Sequence, residues 1–425
     1  SPLSVATYLP RDLFQFDLVI FDEASQLPPG DAVGVLLRGK QAVIFGDNKQ
    51  LPPTDFFRAH AEGEEDEPDA QDYESILDIA SVYFPGPMLR WHYRSRDERL
   101  IGFSNRYVYD RKLITFPAPG TDGVETGVTF VHVPDGVFGK GGSRTNRAEA
   151  ERVAQLVLEH FRTSRDLSLG VITMSIEQRD AVEEALHRLR RAYPEVKVPD
   201  NFFVKNLETV QGDERDVIIL GVGYGPSEPG GTPSLNFGPL SRVGGERRLN
   251  VAITRARYRM ILVSSMTPEQ LESVVDRSKW DGPKMLAAYL RYAKLGGVDA
   301  DVTSTGQPES EFEVVVRDAL VGRGYEVDCQ VGVSGYRIDL AVRAPNAPGR
   351  YIVGIECDGA TYHSTRTARD RDRIRQMVLE NLGWKILRVW STEWIRDPVG
   401  ATKRLVEAIE QVRAGEHLNV SHRHE

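Results

Sequence analysis

Between Phe14 and Ser265 the chain alternates short apolar runs with longer segments whose apolar positions recur at helical spacing. The runs FDLVIFDEAS, AVIFGDN, LSLGVITM, DVIILGVGYG and RMILVSS are nearly continuous rather than alternating, the pattern of strands covered on both faces. Together they predict an α/β fold of parallel sheets layered with helices. One helix is well marked: Asn146 stands three residues before Glu149 as a capping-box-like start, and Val153, Ala154, Val157, Leu158 and Phe161 follow on one face. A break at Pro117-Ala118-Pro119-Gly120 separates two such units. The polar stretch from Gly296 to Pro308 reads as a linker to a third. That last module predicts a helix over 311–322, two or three strands, a turn at Pro345-Asn346-Ala347-Pro348-Gly349, another strand and an Arg-rich helix.

Composition narrows the class. The chain has 425 residues, enough for two to four domains, each with its own core. No apolar run approaches the roughly 18 to 20 residues of a membrane span, and Ser1-Pro2-Leu3-Ser4 lacks a secretory pattern, so a cytoplasmic, membrane-free protein is expected. Two cysteines, Cys329 and Cys357, are too few for a disulfide framework or a zinc cluster. The net charge of −9 argues mildly against nucleic acid, but much of the acidity sits in one run from Glu62 to Asp69 that reads as a solvated insertion.

Candidate chemistry begins at the end of the first strand. Asp22 and Glu23 follow Phe16–Phe21 at its C-terminal end, where parallel sheets place ligands. Asp22 can hold Mg²⁺ on nucleotide phosphates, and Glu23 can orient and deprotonate the attacking water. A DE pair alone could equally be a solvated strand end. It is accompanied, however, by Gly46-Asp47-Asn48-Lys49-Gln50-Leu51-Pro52-Pro53-Thr54 after the second strand, then by Leu89-Arg90-Trp91-His92-Tyr93-Arg94-Ser95. Further on come Val210-Gln211-Gly212-Asp213-Glu214 and the segment from Arg247 to Arg257.

These ordered strings resemble the superfamily 1 helicases, most closely the branch of the nonsense-mediated-decay helicase, over about residues 1 to 265. The resemblance implies RecA-like domains, ATP and Mg²⁺ as cofactors, Asp22 as magnesium ligand, Glu23 as catalytic base and Gln50 as γ-phosphate sensor. It implies arginine fingers at Arg94 and Arg255, and places Gln211, Gly212 and Glu214 by the nucleotide. A guanidinium forks onto phosphate oxygens, which makes the two arginines chemically apt. On this basis residues 1–118 are the C-terminal part of a first RecA-like domain and 119–295 a second, with 296–308 as linker.

A Walker A loop is expected upstream of Asp22, yet only 21 residues precede it and none fits. The string Gly34 to Gln41 has the glycine and lysine spacing but ends in Gln and follows the DE pair, and Gly139-Lys140-Gly141-Gly142-Ser143 reads as a flexible turn. Ser1-Pro2-Leu3-Ser4 resembles a segment in the middle of the first domain of these helicases, so the chain is expected to be a fragment. It should bind ATP poorly and not unwind unless another polypeptide supplies the missing N-terminal half.

In the last module, Glu356 and Asp358 lie two apart and share a strand face, opposite to Ile355 and Cys357, and Asp339 on the adjacent strand can join them. Three converging carboxylates call for a divalent cation, Mg²⁺ or Mn²⁺. This resembles the PD-(D/E)xK nucleases of the very-short-patch-repair type and sets residues 309–425 as the nuclease domain, with Asp339 and Glu356 matching the two acids. The usual lysine position is Asp358, so His363 is the candidate proton-transfer group, with a packing histidine as the alternative. Glu313 resembles the accessory acid of these folds. Arg366, Arg369, Arg371, Arg373 and Arg375 alternate with Asp370 and Asp372 on a helix whose buried stripe is predicted as Ile374, Met377, Val378 and Leu382. Arg366, Arg369 and Arg373 could hold a DNA backbone, or belong to a salt-bridged solvated face. Trp384, Trp390 and Trp394 are predicted as core.

The resulting expectation is part of an ATP-dependent DNA helicase or translocase feeding single-stranded or forked DNA to a metal-dependent endonuclease, in DNA repair or defence against foreign DNA. The alternatives are an ATP-gated DNA-sensing nuclease without unwinding, and an RNA helicase with an inactive, clamping nuclease fold.

Overall fold

The apolar runs become strands, and among the described residues the strands assemble into four sheets. The computed structural model describes residues 1–10, 14–53, 73–84, 86–120, 125–164, 166–297, 306–333, 335–345, 347, 349–358 and 366–415, with the backbone alone for 366–372.

The first unit comprises α1 (Pro2–Tyr8), β1 (Val19–Phe21), α2 (Pro29–Leu36), β2 (Ala42–Ile44) and α3 (Ile76–Tyr83). β1 and β2 pair in parallel, Val19 with Ala42 through Phe21 with Ile44. Strands buried on both faces were expected here. Instead Val19 and Phe21 are covered, in a small cluster with Ala24, Ala32, Val35 and Ile76, while Ile20 is 60% and Val43 38% exposed. Successive strand residues point to opposite faces, and the described helices cover one face.

Next come β3 (Trp91–His92), α4 (Arg99–Tyr107) and β4 (Ile114–Thr115), with β3 and β4 forming a parallel two-stranded ribbon. The central unit follows: β5 (Gly127–His132), α5 (Arg147–Thr163), β6 (Leu169–Thr173), α6 (Ile176–Ala192), β7 (Phe203–Asn206), β8 (Arg215–Gly221), α7 (Gly245–Ile253), β9 (Ala256–Ser264), α8 (Pro268–Val275) and α9 (Asp281–Lys294). Its five strands are all parallel in the order β5-β9-β8-β6-β7. Along β8, Val217 and Ile219 enter the core shared with α5 and α6, and Ile218 and Leu220 the core shared with α7 and α9. Two buried faces explain the unbroken apolar run.

α5 starts at Asn146, whose side-chain oxygen accepts from the Glu149 N–H at 3.2 Å, and it buries all five predicted positions. The reciprocal half of the expected capping box is absent. Glu149 instead turns into the sheet and accepts from the N–H groups of Gly223 and Ser265, both at 2.6 Å, just past the ends of β8 and β9.

The last unit holds α10 (Glu311–Val321), β10 (Val327–Val331), β11 (Ile338–Arg343), β12 (Tyr351–Asp358), α11 (Arg366–Asn381), β13 (Ile386–Trp390), α12 (Ser391–Arg396) and α13 (Pro398–Arg413). Its sheet runs β10-β11-β12-β13, antiparallel except for the parallel β12–β13 pair. Leu340, Val342, Val353 and Ile355 pack with Val316, Leu405 and Ile409 on one face. The other face gathers Ile338, Ala341, Leu379, Leu382, Trp384 and, from far upstream, Phe116. The Trp384 indole N–H donates to the Pro117 carbonyl at 2.8 Å.

Two expectations change here. Ile374 and Met377 are 51% and 53% exposed; among the described side chains of α11 Leu379 is buried, and Leu382 is buried just past its end as predicted, because this helix meets the sheet through its last turn. Trp384 and Trp394 are core, but Trp390 at the end of β13 is 37% exposed.

Candidate functional site

The strand ends of the first and central units face each other, and the candidate nucleotide residues come from both. Glu23 follows β1 in the left-handed region, φ 52°, and its N–H donates to Asp22 Oδ1 at 2.9 Å. Ala24 N–H donates to the Phe45 carbonyl at 2.8 Å, bringing the DE turn against the end of β2. Gly46 permits that approach, since a Cβ there would stand 3.0 Å from the Ser25 nitrogen. Across the cleft, the Gln211 amide donates to Glu23 Oε2 at 3.4 Å. The neighbouring Gly212, φ 84°, supplies the left-handed turn.

A second set of bonds crosses the same cleft. Asp47 accepts from the Gln50 amide at 3.0 Å and from the Tyr109 hydroxyl at 2.7 Å. Asn250 donates to that hydroxyl at 3.1 Å and to the Lys49 carbonyl at 3.0 Å. Asp47 and Asn250 lay inside the quoted strings without a role, whereas Tyr109 carried no sequence signal.

Arg94 bonds Glu214 at 3.0 Å. Arg255 is 4% exposed and bonds the Val251 carbonyl at 2.8 Å and Thr254 Oγ1 at 3.0 Å. Burial, then the charge of Arg94, lowers it to about 10, while Glu23 and Glu214 work in the other direction. It stays a cation at neutral pH. Burial and the same two arginines push His92 down to about 4, so its imidazole is neutral. Converging guanidinium charge of this kind suits a polyphosphate.

In the last unit the β11–β12 register, Leu340 with Ile355, sets Asp339 opposite Glu356. Asp339 Oδ2 accepts from the Cys357 N–H at 2.7 Å, and Glu356 Oε1 from the Tyr336 hydroxyl at 2.6 Å. Burial raises Asp339 to about 6, helped by the charges of Glu313 and Asp358. Burial and Asp339 raise Glu356 to about 7. Asp358 lies 3.8 Å from the Arg388 guanidinium. Glu313, at the start of α10, accepts from the Glu309 N–H, the Ser310 hydroxyl and the Gln330 amide at 2.8 to 2.9 Å. Gln330 is 4% exposed and sits at φ 52°, a conformation costly for a non-glycine residue. Neither Gln330 nor Tyr336 was singled out from sequence.

Among the described residues no three His, Cys, Asp or Glu side chains gather closely enough to hold an ion. Asp339, Glu356 and Asp358 thus stop short of the expected triad. Their donor chemistry nevertheless fits a hard divalent cation: two carboxyl groups are held above their ordinary range by burial and like charge, which a cation would offset. His363 and the side chains of Arg366 and Arg369 lie outside the described residues, and Arg373 is exposed. Among the described residues no helix is long and apolar enough to cross a membrane.

Comparison with known proteins defines the class. A family described as an AAA domain matches residues 78–267, and the family REase_MTES_1575 matches residues 312–409. The chain therefore joins a superfamily 1 helicase-like AAA region to a nuclease-like domain on its C-terminal side. It is 31% identical to the uncharacterized ATP-dependent helicase MG140 of Mycoplasma genitalium and 29% identical to its Mycoplasma pneumoniae homolog, each over 95% of this chain. The chain spans 37% of the length of both relatives. A regulator of nonsense transcripts 1 homolog from Neurospora crassa is 26% identical over 59% of this chain and 23% of its own length.

Proposed function

We propose that the chain is the motor and nuclease portion of an ATP-dependent DNA helicase or translocase that feeds DNA to a metal-dependent endonuclease, serving DNA repair or defence against foreign DNA. In this reading residues 1–118 and 119–295 belong to the two motor domains, and 309–425 to the nuclease. The observation that carries it is the pair Asp339 and Glu356, opposed on neighbouring strands and both raised above the carboxylate range, beside a helicase-like region in one chain. The restriction-endonuclease character of the matched family favours DNA over RNA.

At the motor site Asp22 would hold Mg²⁺ with ATP, and Glu23 takes the proton of the attacking water. Gln50 reads the terminal phosphate. Arg94 and Arg255 offset the negative charge that develops on the phosphoryl oxygens. At the nuclease site Asp339 and Glu356, with Asp358, would hold Mg²⁺ or Mn²⁺, and Glu313 supports them as accessory acid. A cation held there would lower the pKa of water and offset charge on the phosphodiester. The Cys357 N–H holds one oxygen of Asp339 and the Tyr336 hydroxyl one oxygen of Glu356.

The test is cleavage of labelled single-stranded, double-stranded and forked DNA by the 425-residue chain with Mg²⁺, with Mn²⁺ and with chelator. Cutting that requires the metal is expected. A folded chain that cuts none of these under any condition overturns an autonomous endonuclease and favours either an inert clamp or a nuclease licensed only by the ATP-bound motor.

A further inference from the structure

The core beneath the nuclease-like sheet is completed by residues from the motor side. Phe116, just past β4, is 3% exposed among Ile338, Leu379 and Trp384. Its ring meets Trp91 of β3 edge-on, 5.4 Å between centroids at 70°, and meets Tyr336 at 5.3 Å and 34°. The Tyr336 hydroxyl then donates to Glu356 Oε1 at 2.6 Å. A parallel tie runs through Glu98, whose Oε1 accepts from the Thr115 hydroxyl on β4 and, at 3.3 Å, from the Val333 N–H, three residues before Tyr336. β3, which carries Trp91, leads through Tyr93 to Arg94, which pairs with Glu214 at the candidate nucleotide cleft.

We propose that Tyr336 is a positioning residue of the nuclease site, its hydroxyl orienting Glu356 and its ring packed on Phe116, which in turn meets Trp91 of β3, the strand that leads to Arg94. The proposal rests on the nuclease reading above. Phenylalanine would fill the same space beside Phe116, so packing alone does not account for a hydroxyl aimed at one of the two candidate acids. A tyrosine ring has only two rotatable bonds, and once its ring is packed its hydroxyl is placed. Trp91, Phe116 and Tyr336 thus join β3 to Glu356 through three aromatic rings and one hydrogen bond, so a displacement of β3 would reach that acid. The motor thereby sets how well the nuclease acids are arranged.

The experiment is Mn²⁺ binding to the 425-residue chain, read by electron paramagnetic resonance of the ion, for the wild type, Asp339→Ala, Tyr336→Phe and Phe116→Leu. The wild type should bind Mn²⁺ and Asp339→Ala should lose that binding. Tyr336→Phe should weaken it about tenfold or more, the scale of one hydrogen bond to a charged group, with no change in the thermal midpoint beyond about 2 °C. Phe116→Leu, which keeps an apolar core but removes the ring beneath Tyr336, should weaken it several-fold. Wild-type affinity in both Tyr336→Phe and Phe116→Leu, with binding lost in Asp339→Ala, overturns the proposal and leaves the nuclease reading standing. Weakening in Tyr336→Phe alone overturns the link to the motor ribbon. Absence of binding in the wild type, or undiminished binding in Asp339→Ala, removes the nuclease reading and this proposal with it.

Discussion

The side-chain amide of Gln211 donates to the carboxylate of Glu23 at 3.4 Å, across 188 residues of sequence. Glu23 stands just past β1 of the two-stranded first sheet, and Gln211 in the loop before β8 of the five-stranded sheet. The carboxylate of the proposed catalytic base thus accepts from both walls of the cleft, from Gln26 on its own side and from Gln211 on the other, each at 3.4 Å.

Glu23→Gln should reduce ATP turnover about a thousandfold or more while leaving metal-dependent DNA cleavage intact, because it removes the proton acceptor and little volume. Phosphate release should be measured in a polypeptide that includes a Walker A region. Turnover at the wild-type rate would show that another residue is the base.

Arg255→Lys should lower turnover by a similar order, since an ammonium cannot fork onto two phosphate oxygens. Lysine would also lose the bonds that Arg255 makes to the Val251 carbonyl and to Thr254. Full activity in this variant, with ATP affinity unchanged, would mean that charge alone suffices at this position.

Asp339→Ala should abolish metal-dependent cleavage and spare ATP turnover. Gel assays on labelled forked DNA, run beside phosphate release, separate the two outcomes. Undiminished cleavage would place the nuclease acids elsewhere.

Glu149 links stability to pH. Burial raises its carboxyl from 4.5 to about 7 in the fold, against the N–H donors of Gly223 and Ser265. Below pH 4.5 both folded and unfolded states hold the proton. Between 4.5 and about 7 only the folded state keeps it, so this contribution to stability is lost as the pH rises through that window. The total is on the order of 3 kcal/mol. Urea unfolding at several pH values should show this loss in the wild type and its removal in Glu149→Gln. Equal slopes in the two proteins would refute the assignment.

Ile219→Ala should destabilise the chain by about 2 to 5 kcal/mol, because Ile219 is fully buried between β8 and the α5–α6 layer and the cavity cannot collapse around a rigid parallel strand. The midpoint of urea unfolding measures it. A shift under about 1 kcal/mol would mean that this sheet face repacks freely.

Much of the central sheet was legible because its signals are local. Val217 to Leu220 form an unbroken apolar run, and such a run needs cover on both faces wherever it sits in the fold. Asn146 and the five apolar positions behind it marked α5 for the same reason. The reading failed where the partner was distant. Glu149 was taken for a cap residue, yet it accepts from Gly223 and Ser265, 74 and 116 residues away. The exposure of Ile374 and Met377 depends on where α11 leaves the sheet, which periodicity does not encode.

The candidate sites divide in the same way. Their residue types and order were set by the sequence: Asp22 and Glu23 at a strand end, arginines at 94 and 255, acids at 339, 356 and 358. Strand alternation and the chemistry of carboxylates and guanidinium groups suffice for that much. Only the tertiary structure decided that Gln211 meets Glu23, that Tyr109 and Asn250 bridge the cleft, and that Phe116 fills the core under Tyr336. Such contacts follow from which sheet faces pack against which. Packing minimises exposed apolar area and unpaired polar groups over the whole molecule, so no local stretch of sequence specifies it.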